Sequence, residues 1–274
     1  MKKGFAVSRI YTILIFILLY APIAIMVFFS FNSLESTTAF GHFSLQWYRS
    51  LIGDGEVWTA FKNTMLLALF SSLIATAIGT AAAIGLDKMR NRHLREAVRT
   101  VTNIPMMNPD IVTGVSLFLL FAMVAVIFGT GVDSILGFSA VLIAHITFNL
   151  PYVILSVTPK IRQLDRHLTE AALDLGCTPF SAFCKVELPG IMPGILSGFI
   201  MAFTLSIDDF VITYFLSGSE YSTLPVYIYG LTGKGTVTPD VYALSTLLCL
   251  GVLVLLILSN VAKKRSQKRH ARAV

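Results

Sequence analysis

The feature that most constrains this chain is where its charges are missing. Windows without Asp, Glu, Lys or Arg run 10–34, 63–86, 111–132, 134–159, 188–207 and 241–262, each 20 residues or longer. A hydrocarbon layer roughly 30 Å thick is crossed by about 20 helical residues. Backbone groups in lipid must bond to one another, and a helix does this within one segment. The reading is therefore an all-α integral membrane protein with six transmembrane helices, at about 10–34, 63–86, 100–130, 136–159, 188–216 and 241–262, in one domain spanning 1–274. With 13% charged and 55% apolar residues, neither a soluble enzyme nor a disordered chain fits. The first window follows Lys2, Lys3 and Arg9 like a signal peptide. It is too long for one and no small-residue cleavage site follows, so it reads as an uncleaved anchor.

Basic residues set the expected orientation. Of the 21 Lys and Arg, three precede the first helix, and five (Lys88, Arg90, Arg92, Arg95, Arg99) follow the second. Four (Lys160, Arg162, Arg166, Lys185) follow the fourth, and six (Lys263, Lys264, Arg265, Lys268, Arg269, Arg272) end the chain. The opposite loops hold only Arg49, Lys62 and Lys234. Both termini are expected in the cytoplasm. The net charge of +6 then reflects topology and not nucleic-acid binding. Cys177, Cys184 and Cys249 make neither a disulfide framework nor a metal spacing.

The cytoplasmic segment 160–189 is longer than a connector needs. Ile161, Leu164, Leu168, Ala171, Ala172 and Leu175 share one face at helical spacing. Gly176 stops that helix, and Thr178-Pro179 restarts another as cap and first-turn proline. Two short amphipathic helices meeting at a glycine corner are expected. An interfacial pair lying on lipid is the plain alternative, but small alanines in the apolar face favour close approach to another protein.

Glu170-Ala171-Ala172, then Gly176, then Val186-Glu187-Leu188-Pro189 resemble the E-A-A-x3-G-x9-I-x-L-P pattern of binding-protein-dependent ABC import permeases. Only Val186 departs, valine for isoleucine. The segments FNS at 31–33, WY at 47–48, NPDIVTG at 108–114, HITFNLPYV at 145–153 and FTLSIDDFVITYFLSG at 203–218 resemble the spermidine/putrescine (polyamine) class, PotC-like. The resemblance covers nearly the whole chain. It implies a type I ABC importer permease fold in a bacterial inner membrane, with a cytoplasmic coupling helix between helices four and five. It also implies that Glu170, Ala171, Ala172, Gly176, Leu188 and Pro189 dock an ATP-hydrolysing subunit. The implied partners are a second permease subunit, two ATP-binding subunits and an extracytoplasmic polyamine-binding protein. No cofactor is expected on this chain, since ATP and Mg belong to the ATPase. The same family also serves other small solutes, which stays an alternative.

Asp208 and Asp209 lie in the outer half of helix five, and Asp110 starts the third window behind Pro105 and Pro109. A carboxylate in lipid is costly and should face a cavity or a partner. A polyamine needs spaced carboxylates for its ammonium groups and aromatic faces for its stems. Phe203, Phe210, Tyr214 and Phe215 flank the aspartate pair. Neighbouring residues point about 100° apart on a helix, so the two aspartates cannot both face one narrow path, and Asp208 is favoured. One aspartate can instead only cap or pair structurally, with a partner subunit or with His145, which with Thr147 and Asn149 forms a polar island in helix four. The substrate path is thus expected at Asp208, Asp110, Asp209, Tyr214 and His145, with no metal site. Small residues every four positions (Gly190, Gly194, Gly198, Ala202, Ser206; Ser71, Ala75, Gly79, Ala83) permit close helix packing, within the chain or against a subunit. Three membrane aspartates would also suit an intramembrane aspartyl protease, whose signatures are missing. A phosphate-binding lysine loop is missing as well.

Overall fold

The computed structural model describes residues 2–36, 39–233 and 239–270, all helix, turn and loop apart from one isolated bridge between Asn32 and Phe43. The helices are α1 (Lys2–Phe29), α2 (Gln46–Gly53), α3 (Gly55–Lys88), α4 (Arg92–Met107), α5 (Asp110–Phe128), α6 (Phe138–Gln163), α7 (Arg166–Asp174), α8 (Pro179–Ala182), α9 (Leu188–Asp208), α10 (Val211–Leu216), α11 (Leu224–Thr232) and α12 (Pro239–His270). Among the described residues five stretches are long and apolar enough to cross a membrane: Tyr11–Phe29, Gly55–Lys88, Asp110–Phe128, Phe138–Gln163 and Pro179–Asp208. The sixth expected span falls in α12, whose described apolar part, Pro239–Val254, is shorter. Lys234 and Arg272 lie outside the described residues, as do the side chains of Lys2, Lys3, Arg166 and the basic tail.

The chain divides into two compact units. In the first (1–59 with 227–254), the helix expected to reach residue 34 ends at Phe29, because Asn32 organises a loop instead. Its side chain accepts from Gly41 N (2.8 Å) and donates to Ser36 O and Ala39 O (2.9 and 2.8 Å). Trp47 Nε1 donates to the Asn32 carbonyl (2.6 Å), and Tyr48 Oη bonds Ser30 Oγ (2.7 Å). The FNS and WY segments therefore meet as one structural knot.

In the second unit (60–226 with 255–274), α6 and α9 form the tightest pair, and glycine decides it. A Cβ on Gly194 would fall 2.9 Å from Lys160 Cγ and 3.0 Å from Ser156 O, and one on Gly198 3.3 Å from Val153 Cα. From α3, a Cβ on Gly79 would fall 2.8 Å from Val153 Cγ1. Val153 is thus clamped between two glycines, inside a core with Ala75, Ala83, Val157, Ile191 and Ala202. The small-residue ladders of α3 and α9 are used within the chain. A second core joins Leu67, Ala140, Val141, Ala144, Phe148, Ile212 and Leu216.

Three expected helices differ in detail. The third, drawn as 100–130, is two: α4 and α5 are separated by Asn108 and Pro109, both extended (ψ 141° and 138°). Proline has no N–H to give and pushes its predecessor out of the helical region. The fifth, drawn as 188–216, breaks at Asp209 (ψ 123°) into α9 and α10. At the corner, Leu164 is extended and ends α6 (ψ 130°), so Ile161 and Leu164 do not share a helix face with Leu168 and Leu175. Ile161 packs on the core, and Leu164 fills the space beside Gly190.

Candidate functional site

The break in α9 is built by a side chain. Asp209 Oδ2 accepts from the Thr213 backbone N–H (2.9 Å) and hydroxyl (2.8 Å), and Oδ1 accepts from Ile212 N (3.4 Å). The carboxylate so replaces the missing carbonyl partners at the first turn of α10, where negative charge also suits the helix dipole. Across from it, His145 Nε2 on α6 lies 3.3 Å from Asp209 Oδ2 and 3.0 Å from Thr213 Oγ1. Both side chains are nearly sealed, at 0% exposure for His145 and 7% for Asp209. One turn along α6, Asn149 Nδ2 donates to Ser206 Oγ (2.8 Å), which bonds Ser71 Oγ of α3 (3.0 Å). Buried polar groups joined in this way fix a unique packing of α3, α6, α9 and α10.

Asp208 and Asp110 stand apart from this network. Asp208, the last residue of α9, is exposed, and so is Asp110 at the first turn of α5. Neither forms an ion pair among the described residues. Tyr152 of α6 packs edge-on against Phe148, with ring centroids 5.5 Å apart. The supports of the two aspartates are connected: Gly114, one turn beyond Asp110, lies against α10, where a Cβ would fall 3.0 Å from Phe215 Cδ2 and 3.5 Å from Ile212 Cα. Tyr214 is exposed on α10 and tilts against Phe210 with ring centroids 5.3 Å apart. Phe203 stacks on Phe199 at 6.0 Å. Thr147 is not part of the polar island, since it points outward and bonds Ile143 O (2.9 Å). Residues 145 and 149 are one turn apart, whereas 147 faces about 200° away.

Thr213 and Tyr152 belong to this region without having been singled out, and Ser206 and Ser71 had been marked only as small packing residues. A signal existed for Thr213: an acid four residues before a threonine, within an apolar run, fits a helix restart. Ser206 looked like one more small residue in a ladder.

The corner between α6 and α9 is a second candidate surface. Asp165 caps α7 through His167 N (3.0 Å), and Thr178 caps α8 through Ser181 N (3.3 Å). Between them Gly176 adopts φ +86°, with Gly176 N on Leu173 O (2.9 Å) and Cys177 N on Ala172 O (3.0 Å). A Cβ there would meet nothing within 4 Å, so the glycine is required by its backbone alone. Beyond α8 the chain forms a π-turn at Phe183–Glu187 and runs directly into α9, where a separate second helix was expected. The wide turn absorbs Pro189, which cannot donate to the residue four before it. Glu187 pairs with Lys88 of α3 (3.1 Å), and Glu170 bonds His167 one turn earlier (3.2 Å). Leu168, Leu175 and Phe180 stay uncovered, the last two at 87% and 77% exposure. Alanines 171 and 172 lie beside them, and Leu188 and Pro189 sit at the start of α9.

Five described stretches long and apolar enough to cross a membrane mark the chain as a membrane protein, and comparison with known proteins says which kind. The family described as "Binding-protein-dependent transport system inner membrane component" matches residues 75–271. The "Putrescine transport system permease protein PotI" of Escherichia coli K12 is 35% identical over 259 residues, covering 94% of this chain and 91% of that protein. The "Spermidine/putrescine transport system permease protein PotC" is 35% identical in E. coli K12, covering 93% and 92%. In Haemophilus influenzae PotC is again 35% identical, covering 96% and 98%. Among solved structures, a chain of a bacterial ABC transporter importing the acidic polysaccharide alginate superposes with TM-score 0.75 at 16% identity, covering 96% of each chain. The same kind of transporter is also solved with an alginate-bound periplasmic protein (TM-score 0.71, 17% identity, 96% and 95% covered). The chain belongs to the binding-protein-dependent transport permeases, and its fold is that of the type I ABC importer permeases. It is a transport subunit, so the aspartyl protease alternative is set aside.

Proposed function

We propose that this chain is one permease of an ATP-driven importer that moves polyamines such as spermidine and putrescine inward by alternating access. The carrying observation is the pair of exposed carboxylates, Asp208 and Asp110, in a chain whose relatives are named for polyamine transport. A polyamine leaving water must exchange hydration for charged acceptors, and carboxylates are the strongest side-chain acceptors available. Two of them on connected helices, with Tyr214 exposed nearby, offer an ammonium ladder and an aromatic face. Asp209 and His145 serve the path indirectly by holding α10.

In this reading a second permease completes the pathway, and an extracytoplasmic polyamine-binding protein delivers the solute. Two ATP-binding subunits use ATP and Mg. Both termini face the cytoplasm of a bacterial cell with this chain in its inner membrane. The corner formed by Glu170, Ala171, Ala172 and Gly176, with Leu188 and Pro189 behind it, receives the ATPase. The test is uptake of labelled putrescine and spermidine in cells lacking and carrying the complex, with unlabelled polyamines, amino acids and sugars as competitors. Competition by polyamines alone supports the reading; competition by another solute class and not by polyamines rejects it.

A further inference from the structure

We propose that a pocket between α4 and α6 binds a phosphate-bearing anion, with a phospholipid headgroup or a free phosphate ester as its two sources. The cavity holds about 440 Å³ and is lined by Arg99, Thr102 and Asn103 of α4 and by Ile154, Leu155, Thr158, Pro159, Arg162 and Gln163 of α6. This volume lies in the usual range for small-ligand sites.

Its chemistry is asymmetric. Two guanidiniums converge on it, and the lining includes no carboxylate. Arg99 and Arg162 form no ion pair among the described residues. Burial, then the like charges of Arg162 and Arg95, holds the Arg99 guanidinium below its ordinary range, and the acids Asp87 and Glu96 offset this only in part. The last-turn position of Arg162 in α6 suits the helix dipole. That accounts for one cation, not for a second brought to it by another helix. An anion between the two removes the repulsion and takes charge-assisted bonds from both.

The donors left for it are specific. The hydroxyls of Thr102 and Thr158 are spent on their own helices, on Val98 O and Ile154 O (2.8 and 2.7 Å). Gln163 accepts from Lys160 through Oε1 (3.0 Å), leaving its NH₂ to donate. Arg99, Arg162, Asn103 and Gln163 form the polar wall, and Ile154, Leu155 and Pro159 the apolar one. An anion with a hydrocarbon tail fits both walls. The pocket also lies at the end of α6 that carries the basic residues, where anionic headgroups gather. Occupancy would brace α4 just before the Asn108-Pro109 elbow that leads to Asp110.

The test uses the complete complex, purified with its partner permease and ATPase subunits. Retained phospholipid is measured by mass spectrometry, and binding of short-chain phosphatidylglycerol, phosphatidylcholine and inorganic phosphate is compared. Removing one arginine is expected to weaken phosphatidylglycerol roughly fivefold, and Arg99→Gln with Arg162→Gln more. Arg92→Gln, on an exposed residue paired with Glu96, should change nothing. Phosphatidylglycerol preferred over phosphatidylcholine and not displaced by inorganic phosphate assigns the lipid source. Displacement by inorganic phosphate assigns the free one. Wild-type binding of both in the double variant, or an equal loss in Arg92→Gln, overturns the site. Should the double variant not assemble, Arg162→Gln and Arg162→Lys decide at the exposed arginine: loss in the first with recovery in the second upholds the site, and no loss rejects it.

Discussion

The two ends of α9 solve opposite problems. At its C-terminal end the Asp209–His145–Thr213 cluster and the Asn149–Ser206–Ser71 chain are buried and bonded within the chain. In the corner that leads into its N-terminal end Leu175 and Phe180 are apolar and uncovered. A buried polar group left without its partner costs folding free energy. An exposed apolar side chain costs little in the subunit alone and has more to gain when another surface covers it. Substitutions at the C-terminal end should therefore be read in stability, and those at the corner in assembly.

The largest effect should come from Asp209→Ala. It strips α10 of its cap and leaves His145 without its carboxylate, and breaking a buried pair costs about 3–5 kcal/mol. Thermal unfolding of the solubilised subunit should show a sharply lowered midpoint, whereas an unchanged midpoint would dissolve the distinction between the two ends. Next is Gly194→Ala, whose added methyl would crowd Ser156 O and Lys160 Cγ. Overpacking of this kind costs about 1–3 kcal/mol, visible in the same melt. At Gly176 an added Cβ meets nothing within 4 Å, so the cost of Gly176→Val is set by the left-handed backbone, about 1–2 kcal/mol. The subunit should still fold, yet recover much less ATPase on co-purification and lose uptake. The smallest change is expected from Glu170→Ala, within about 0.5 kcal/mol in stability, with a partial loss of ATPase recovery.

Much of this was legible in the sequence because lipid leaves a chain few options. Charge-free windows located the helices, and the glycine and proline at 176 and 179 located the corner. What the windows could not show is whether a helix runs on past a charge or breaks there. The charge-free window stops at Ile207 and the helix was drawn on to 216 across Asp208 and Asp209, whereas the break depends on the Asp209 carboxylate accepting from Thr213. The same holds at residue 164, where an amphipathic repeat continued on paper although the backbone turned away. The ladders of small residues were visible, but not their partner, because a glycine fits equally well against its own chain or another. The direction of a side chain at such a break depends on its long-range partner, here His145, which lies 64 positions before Asp209 in the chain.

The central claim is a division of labour between adjacent aspartates: Asp209 holds the helix break, and Asp208 faces the transported cation. The most direct measurement is polyamine uptake by the assembled Asp208→Asn complex, at equal membrane level and equal thermal midpoint to wild type. Loss of one charge-assisted contact of roughly 1.5–3 kcal/mol predicts uptake lowered by about tenfold or more, with assembly and binding-protein affinity retained. Wild-type uptake by that complex would contradict the claim and move the cation path away from α9.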